Sequence, residues 1–253
     1  MAESPLGILV DNARKAVLCG ELCDLIVLRN HNDIRELFYR DRVKGAFDHP
    51  FSVYESEQFV FSEADRAAGG NTCNGVTSAD SASTLHAWEA IVELTGKNGV
   101  RRVPIRDFYI KAGTVDIRAE DGEIQTAILI PKASYENTFG HYIKYGLRNA
   151  MEIATLGCSV NVRLSPDKSV IERCRIAYGV AGPVPMRVPS AEAAANGAAP
   201  SLALAEAFSR AVLEDIRPRD SWRASKAFRQ HIAVEMAKRA LTESVRKAGG
   251  VMA

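Results

Sequence analysis

A run of small and polar residues from Gly69 to Thr84, GGNTCNGVTSADSAST, constrains the fold of this chain most. Gly69 and Gly70 precede Asn71, and almost no side chain in the run is large enough to pack a core. Such residues allow a large ligand to lie against the backbone, and glycine permits turns that direct consecutive N–H groups at one point. The run therefore predicts either a cradle for the pyrophosphate of a dinucleotide or a surface loop that leads into a helix N-cap, because Ser, Thr and Asp favour caps.

Short apolar segments around turn residues predict an α+β layer in the first half of the chain. Asn98-Gly99 favours a hairpin because both residues tolerate positive φ, and Pro131 ends a later strand. Leu85 and Trp88 would share one face of a short helix. The predicted elements are a helix over 79–88 and strands over 90–94, 100–105 and 124–130.

Beyond about Lys132 the pattern predicts a strand meander, which is followed by helices. Cys158, Val160, Val162 and Leu164 alternate with other residues and would share one face of a strand. The predicted strands cover 142–145, 157–164 and 170–178, with a turn at Ser165-Pro166-Asp167.

Two amphipathic helices are predicted after these strands. One begins at Pro200-Ser201, and Asp220-Ser221 can cap the other, which Gly249-Gly250 ends. The stretch 191–199, AEAAANGAA, is low in complexity and predicts a loop or a weak helix. The predicted buried stripes are Leu204, Phe208, Val212 and Ile216 in the first helix and Phe228, Ile232 and Met236 in the second.

Composition limits the classes of function. A chain of 253 residues with 47% hydrophobic content can bury a full core and is long enough for two domains. Thirty-two basic and 31 acidic residues leave a net charge of +1, so nothing drives the whole chain toward nucleic acid. We expect no membrane span, because no apolar run approaches the required length. Five cysteines without the spacing of a disulfide framework are typical of a reducing cytoplasm.

A basic strip lies at the start of the last predicted helix. Its members are Arg217, Arg219, Arg223, Lys226 and Arg229. The strip is compatible with RNA docking, but a solvated helix face or a contact between subunits is the preferred interpretation.

Other chemistries lack their motifs. Cys19 and Cys23 have no matching second pair for zinc, and the histidines at positions 31, 49, 86, 141 and 231 show no ligand spacing. The chain has no phosphate-binding GxxxxGK[ST] loop, no GxSxG elbow and no cysteine array that could hold an iron–sulfur cluster.

An ordered series of motifs across roughly residues 66–250 resembles a known family. The series is GGNTCNGVTSADSA, ELTGKNGVRRVPIRDFY, EIQTAILIP, IKYGLRNAMEIATLGC, RIAYGVAGPVPMR, SWRASKAFRQHI and KAGG. It resembles the FAD-binding (medium) subunits of molybdenum hydroxylases, in particular those of bacterial xanthine dehydrogenases. The resemblance implies an α+β fold of two domains. Residues 1–132 would form an FAD-binding domain of the PCMH/vanillyl-alcohol-oxidase-like type. Residues 133–253 would form a CO-dehydrogenase-flavoprotein-like C-terminal domain with a three-stranded antiparallel sheet and helices.

The same resemblance implies a set of cofactor-binding residues. They are Ala67, Ala68, Gly69, Gly70, Asn71, Asp80, Gln125 and Lys144. Asp80 matches an aspartate at the cofactor, although it can also be a helix cap. Lys144 matches a lysine near the flavin ring, where a cation tunes the potential, although an ordinary strand lysine in water is the simpler reading. Gln125 is polar where the family commonly has leucine.

The N-terminal third departs from the family pattern. Family members have a first phosphate loop of the form AGGTD, whereas this chain has Cys19-Gly20-Glu21-Leu22-Cys23 before a strand over 24–28. Glu21 adds a Cβ and a negative charge where a pyrophosphate would lie. The stretch between this strand and Gly69 is also shorter than in the family.

Three functions follow from these observations. In the first, the chain is a FAD-binding electron-transfer subunit that takes electrons from iron–sulfur clusters and passes them to NAD in purine oxidation. Molybdopterin and the clusters would lie on partner subunits, and no residue of this chain would be a general acid, base or nucleophile. In the second, the altered first loop leaves an FAD-free structural subunit or remnant of the same assembly. The third, a nucleic-acid-binding protein, is the least favoured because the charge is nearly balanced.

Overall fold

The computed structural model describes residues 25–28, 80–118, 121–148 and 153–253. Six helices are described: α1 (Asp80–Ala87), α2 (Ile105–Phe108), α3 (Lys132–Tyr135), α4 (Pro189–Ala195), α5 (Leu202–Asp215) and α6 (Lys226–Lys247). The described strands are β1 (Leu25–Leu28), β2 (Ile91–Gly96), β3 (Gly99–Pro104), β4 (Tyr109–Lys111), β5 (Thr114–Val115), β6 (Ile124–Pro131), β7 (Phe139–Tyr145), β8 (Leu156–Leu164), β9 (Ile171–Gly179) and β10 (Met186–Arg187). None of the helices in these ranges has the length and apolar character to cross a bilayer.

The first sheet is antiparallel, with strand order β1-β6-β2-β3. Its β2–β3 hairpin confirms the turn predicted at Asn98-Gly99, with Gly96 opposite Gly99. Only Gly99 of the predicted pair has positive φ, at 102°, a conformation that glycine adopts without a Cβ clash. Leu85 and Trp88 lie in one buried cluster with Val92 and Leu94 of β2, as the helical spacing predicted.

The second sheet has the order β10-β9-β8-β7, and all its pairs are antiparallel. The three predicted strands are therefore confirmed, and the two-residue β10 extends the edge of the sheet. The alternating side chains from Cys158 to Leu164 lie in the main core, packed with residues of α4, α5 and α6. Two buried hydroxyls bond α6 to the sheet. Tyr178 of β9 donates to the Ala233 carbonyl at 2.6 Å, and Ser244 of α6 donates to the Val160 carbonyl at 2.9 Å.

The helices after the second sheet confirm most of the pattern and correct part of it. Ser201 caps α5 as predicted, since its Oγ accepts from Leu204 N at 3.1 Å. The cap predicted for α6 at Asp220-Ser221 is wrong, because Ser225 occupies that position. Asp220 still contributes, because its Oδ1 accepts from the N–H of Lys226 at 2.6 Å.

One member of the predicted α6 stripe is also misplaced. Phe228 is 39% exposed, whereas Ile232 and Met236 are buried. The buried position in the first turn belongs to Arg229, which is 3% exposed and donates to the Thr155 carbonyl and the Ser221 hydroxyl. The low-complexity stretch forms the helix α4 at its start, with Ala191 and Ala195 buried against the core.

Helix α1 joins the two sheets. It packs against β8 and β9 on the sheet face opposite to α5 and α6, and all eight of its residues are buried. Gly157 of β8 permits this approach, because a Cβ there would lie 3.2 Å from the Tyr142 hydroxyl and 3.7 Å from Ser83 Oγ. The short α1 is consequently held by both parts of the chain.

Candidate functional site

An ion pair connects two of the residues implicated by the sequence. Asp80 is the first residue of α1 and is 5% exposed, and Lys144 lies on β7. The Nζ of Lys144 donates to Asp80 Oδ2 at 2.7 Å, and the lysine side chain is 21% exposed. The expectation that these residues, 64 positions apart, serve one site is thus consistent with their contact.

Lys144 reaches α1 because of the register of the second sheet. Lys144 lies opposite Gly157, and Tyr142 lies opposite Ser159, so these residues share the face on which α1 packs. This face carries polar groups in place of the apolar side chains of the opposite face. The ion pair therefore sits on a buried polar surface between the two sheets.

The first turns of α1 hold polar atoms with unused hydrogen-bonding capacity. Ser81 Oγ and Thr84 Oγ1 are buried and have no hydrogen-bond partner among the described residues. Leaving such groups unpaired is costly, so hydroxyls of this kind suit a polar ligand. Their place at the end of the small-residue run fits a nucleotide cofactor such as FAD, which offers phosphate and ring oxygens to hydroxyl donors.

His86 ends the polar side of α1 and is held neutral. Burial is the main cause that lowers the pKa of its imidazole to about 4, and the positive charge of Arg187 lowers it further. The hydrogen bond to Ala82 raises this pKa by a smaller amount. Its Nδ1 lies 2.7 Å from the Ala82 carbonyl, so the neutral ring carries its proton on Nδ1. Nε2 is then a buried acceptor without a hydrogen-bond partner in the described ranges.

Gln125 makes no hydrogen bond to the Asp80–Lys144 ion pair. It lies on β6 opposite Leu94, directly after a register shift in the pairing of β2 with β6. Its Oε1 is buried and has no hydrogen-bond partner among the described residues. The structure therefore does not bond Gln125 to Asp80 or Lys144.

The remaining predicted site residues lie outside the described residues. They are Ala67, Ala68, Gly69, Gly70 and Asn71. The altered loop around Glu21 also lies outside them. The structure consequently describes three of the eight residues implied by the resemblance.

A charged seam beside α1 was missed at the level of sequence. Glu89 accepts from Arg187 Nη1 at 3.1 Å and pairs with Arg175, while Arg187 also pairs with Glu192 through Nη2 at 2.6 Å. Burial is the main cause that lowers the pKa of Arg175, to about 10, and the charge of Arg173 adds to it. The alternation of arginines at 173 and 175 along β9 was the available signal, but it does not reveal the partners.

Comparison with known proteins identifies both parts of the chain. Residues 66–133 match the family model for the FAD binding domain in molybdopterin dehydrogenase, and residues 141–244 match that for the CO dehydrogenase flavoprotein C-terminal domain. Over 182 residues, 72% of this chain, the sequence is 43% identical to the xanthine dehydrogenase FAD-binding subunit of Escherichia coli O157:H7. The chain spans 61% of the length of that relative.

Solved structures share the fold. One of them is carbon monoxide dehydrogenase from Hydrogenophaga pseudoflava, in a form that lacks the Mo-pyranopterin moiety of the molybdenum cofactor. Its TM-score is 0.70 at 24% identity, and the match covers 90% of this chain and 77% of that chain. Quinoline 2-oxidoreductase from Pseudomonas putida 86 gives 0.62 at 18% identity, covering 72% and 61%. The expected α+β architecture is confirmed. With two domain models matched in the expected order, the chain combines a FAD binding domain of the molybdopterin dehydrogenase family with a CO dehydrogenase flavoprotein C-terminal domain.

Proposed function

We propose that this chain is the FAD-binding electron-transfer subunit of a xanthine dehydrogenase-type molybdenum hydroxylase, with NAD as acceptor, in the cytoplasmic oxidation of purines. Its partners would be a molybdopterin-binding subunit and a two-cluster iron–sulfur subunit. The Asp80–Lys144 ion pair carries the proposal, because it joins the two matched parts of the chain through two residues that the sequence resemblance implies as flavin contacts. We retain residues 1–132 and 133–253 as the two proposed domains.

The described residues have separate roles in this proposal. Lys144 would place a positive charge beside the flavin ring, and the 2.7 Å hydrogen bond that it donates to Asp80 holds its side chain in position. The unpaired hydroxyls of Ser81 and Thr84 would hold polar atoms of the cofactor. When bound, FAD supplies the conversion between single-electron and hydride transfer.

The remaining contacts belong to the stretch Ala67 to Asn71. Gly69 and Gly70 would allow the backbone to approach the nucleotide, and the amide of Asn71 would donate to it. Gln125 would lie near the ring at a position where its polar amide replaces an aliphatic contact. These assignments rest on the match to the FAD-binding domain model over 66–133.

The test is to co-express the chain with its molybdopterin-binding and iron–sulfur subunits. We expect the complex to show a flavin absorbance band and to reduce NAD with xanthine. Lys144→Gln should lower the NAD reduction rate by about tenfold or more, since it removes a charge next to the reacting ring. Lys238→Gln is the control for loss of a lysine from an ion pair, because Lys238 pairs with the more exposed Glu206 on α6 and α5, away from α1. A colourless complex that takes up no added FAD would contradict the proposal.

A second candidate function follows from Glu21. A carboxylate in the first phosphate loop favours the FAD-free structural subunit, because it opposes a dianionic pyrophosphate. Glu21→Gly distinguishes the two. If the wild-type chain is colourless and the variant gains a flavin band, Glu21 is what excludes the cofactor. Equal flavin content in both would show that the loop tolerates the carboxylate.

A further inference from the structure

Exposed apolar side chains gather at one end of the second sheet, where β7 ends and β8 begins. Leu147 follows β7 and is 63% exposed, and Ile153 precedes β8 and is 48% exposed. Phe228 is 39% exposed and packs edge-on against Tyr145, with ring centroids 5.5 Å apart. Trp222 is 82% exposed. We call the four residues Leu147, Ile153, Phe228 and Trp222 the apolar end. A grouping of exposed apolar side chains on one side of a protein is typical of an interaction site.

Hydrogen bonds from Arg229 hold the loop that carries Trp222 in place. We call residues 216–225 the Trp222 loop. The guanidinium of Arg229, although buried, donates to Thr155 O at 3.3 Å, to Ser221 Oγ at 2.7 Å and to the carbonyl of Arg219. These bonds attach the loop to the start of β8. A partner that binds Trp222 would therefore lose little free energy to ordering of the loop.

The segment that contains Trp222 carries an excess of positive charge. Residues 216–226 contain Arg217, Arg219, Arg223 and Lys226 but one acidic residue, Asp220. The guanidinium carbon of Arg223 lies 4.4 Å from the centroid of the Trp222 ring. Tryptophan and arginine are the residue types most enriched at binding hot spots, and the excess of cations requires an acidic complement.

These features favour a protein partner over a nucleic acid. Trp222 is the one aromatic residue of its loop, and Arg223 already stacks on its ring. Binding of single-stranded nucleic acid uses several aromatic platforms along a groove. Arg229 is buried and committed to backbone and hydroxyl groups, so it cannot reach a phosphate.

The Trp222 loop is also connected to the proposed flavin site. Arg229 bonds the Thr155 carbonyl, and the N–H of Thr155 donates to the Tyr145 carbonyl at 2.8 Å. Tyr145 directly follows Lys144 on β7. A chain seated on this end of the sheet would lie next to the segment that carries Lys144.

We propose that the apolar end and the Trp222 loop form the docking surface for the iron–sulfur subunit, through an acidic face of that subunit. The inference rests on the proposed function, which requires an electron donor close to Lys144. The apolar end supplies the buried centre of the interface, and the arginines supply its charged rim. The surface therefore selects the donor by charge and holds it by Trp222.

The experiment titrates the full-length chain against the separately purified iron–sulfur subunit and measures Kd at low and high salt. We expect Trp222→Ala and Arg219→Glu each to raise Kd by about tenfold or more. Arg239→Glu is the matched charge control, because the Arg239 side chain is 75% exposed on α6. Val251→Ala is the matched apolar control, since Val251 is 79% exposed. Both controls should bind as the wild type does, and all variants should keep its melting temperature.

Flavin uptake by the isolated chain separates this inference from the proposed function. Loss of binding in Trp222→Ala and Arg219→Glu with flavin uptake intact supports the docking surface. Wild-type affinity in both variants overturns it, as does a wild-type chain that takes up FAD but does not bind the subunit. Docking without flavin uptake would support the surface and contradict the redox role. The wild-type chain could instead bind a single-stranded oligonucleotide and not the subunit. If Trp222→Ala abolished that binding, the inference of a protein partner would be overturned.

Discussion

Glu89 and Arg187 form an ion pair across the seam between α1 and the second sheet, with Oε1 and Nη1 3.1 Å apart. Glu89 makes this contact from a left-handed backbone conformation, with φ at 50°. A residue with a Cβ pays about 1 kcal/mol for that conformation. The carboxylate, which also pairs with Arg175, offsets this cost.

Substitutions at Glu89 should separate the two effects. We expect Glu89→Ala to lower the free energy of unfolding by about 2 kcal/mol, since it keeps the strain and removes the carboxylate from a largely buried arginine. Glu89→Gly should cost about 1 kcal/mol less, because glycine adopts φ 50° without strain. Urea denaturation of both variants measures the difference. Equal losses would show that the backbone conformation carries no penalty.

His86 should make the protein less stable as pH falls from about 6.5 toward 4. Burial lowers its pKa from the ordinary value of 6.5 to about 4 in the folded state, so the unfolded state binds the proton first. Stability from the neutral ring is present above pH 6.5, and about 2 kcal/mol of it is lost by pH 5. Urea denaturation at pH 7 and pH 5 should show this loss in the wild type and not in His86→Leu. Parallel losses in both proteins would contradict the assignment.

Arg101 should stabilise the first sheet through a nearly buried carboxylate. Its Nε and Nη2 lie 2.6 and 2.8 Å from the two oxygens of Glu123, and Nη1 lies 2.7 Å from Asp116. The hydrogen bond from Arg101 is the main reason why the pKa of Glu123 is lowered. We expect Arg101→Met to cost about 2 kcal/mol at pH 7, because the carboxylate loses its charged partner.

The pH dependence of this loss has a definite sign. The lowered pKa of Glu123 means that its stabilisation is present above the unfolded-state pKa and is lost as pH falls. The difference between wild type and Arg101→Met should therefore shrink from pH 7 to pH 4. Arg102→Met is the control, since the Arg102 side chain is 55% exposed and its pair with Glu93 should be worth about 0.5 kcal/mol. A loss from Arg102→Met as large as that from Arg101→Met would refute the assignment.

Gly140 should tolerate no side chain while Asn161 is present. A Cβ at position 140 would lie 2.2 Å from Asn161 Oδ1 and 3.0 Å from the Val160 carbonyl. We expect Gly140→Ala to lower the free energy of unfolding by about 2 kcal/mol through overpacking. Adding Asn161→Ala should restore most of it, since the amide of Asn161 makes no hydrogen bond to the described residues. Additive losses in the double variant, measured by thermal unfolding, would exclude a clash at this pair.

Local patterns predicted those elements whose signal lies within a few residues. The hairpin at Gly99, the alternation along β8 and the N-cap at Ser201 are confirmed, because turn residues, strand period and capping act over one to four positions. The α6 stripe was misjudged, because Phe228 and Arg229 are neighbours and helical period alone did not show which of them faces inward. Arginine is seldom buried, so its burial depends on carbonyls that the fold brings near it.

The sequence by itself determined the two domain families, the two strand layers and the identity of Asp80 and Lys144 as candidate site residues. Only the tertiary structure decided that these two side chains touch, that α1 is buried on all sides, and that Glu89 pairs with arginines of the second sheet. The physical reason is that these contacts join residues 64 to 98 positions apart. Charge pairing at such separations depends on where packing places the backbone, and residue type alone does not specify that.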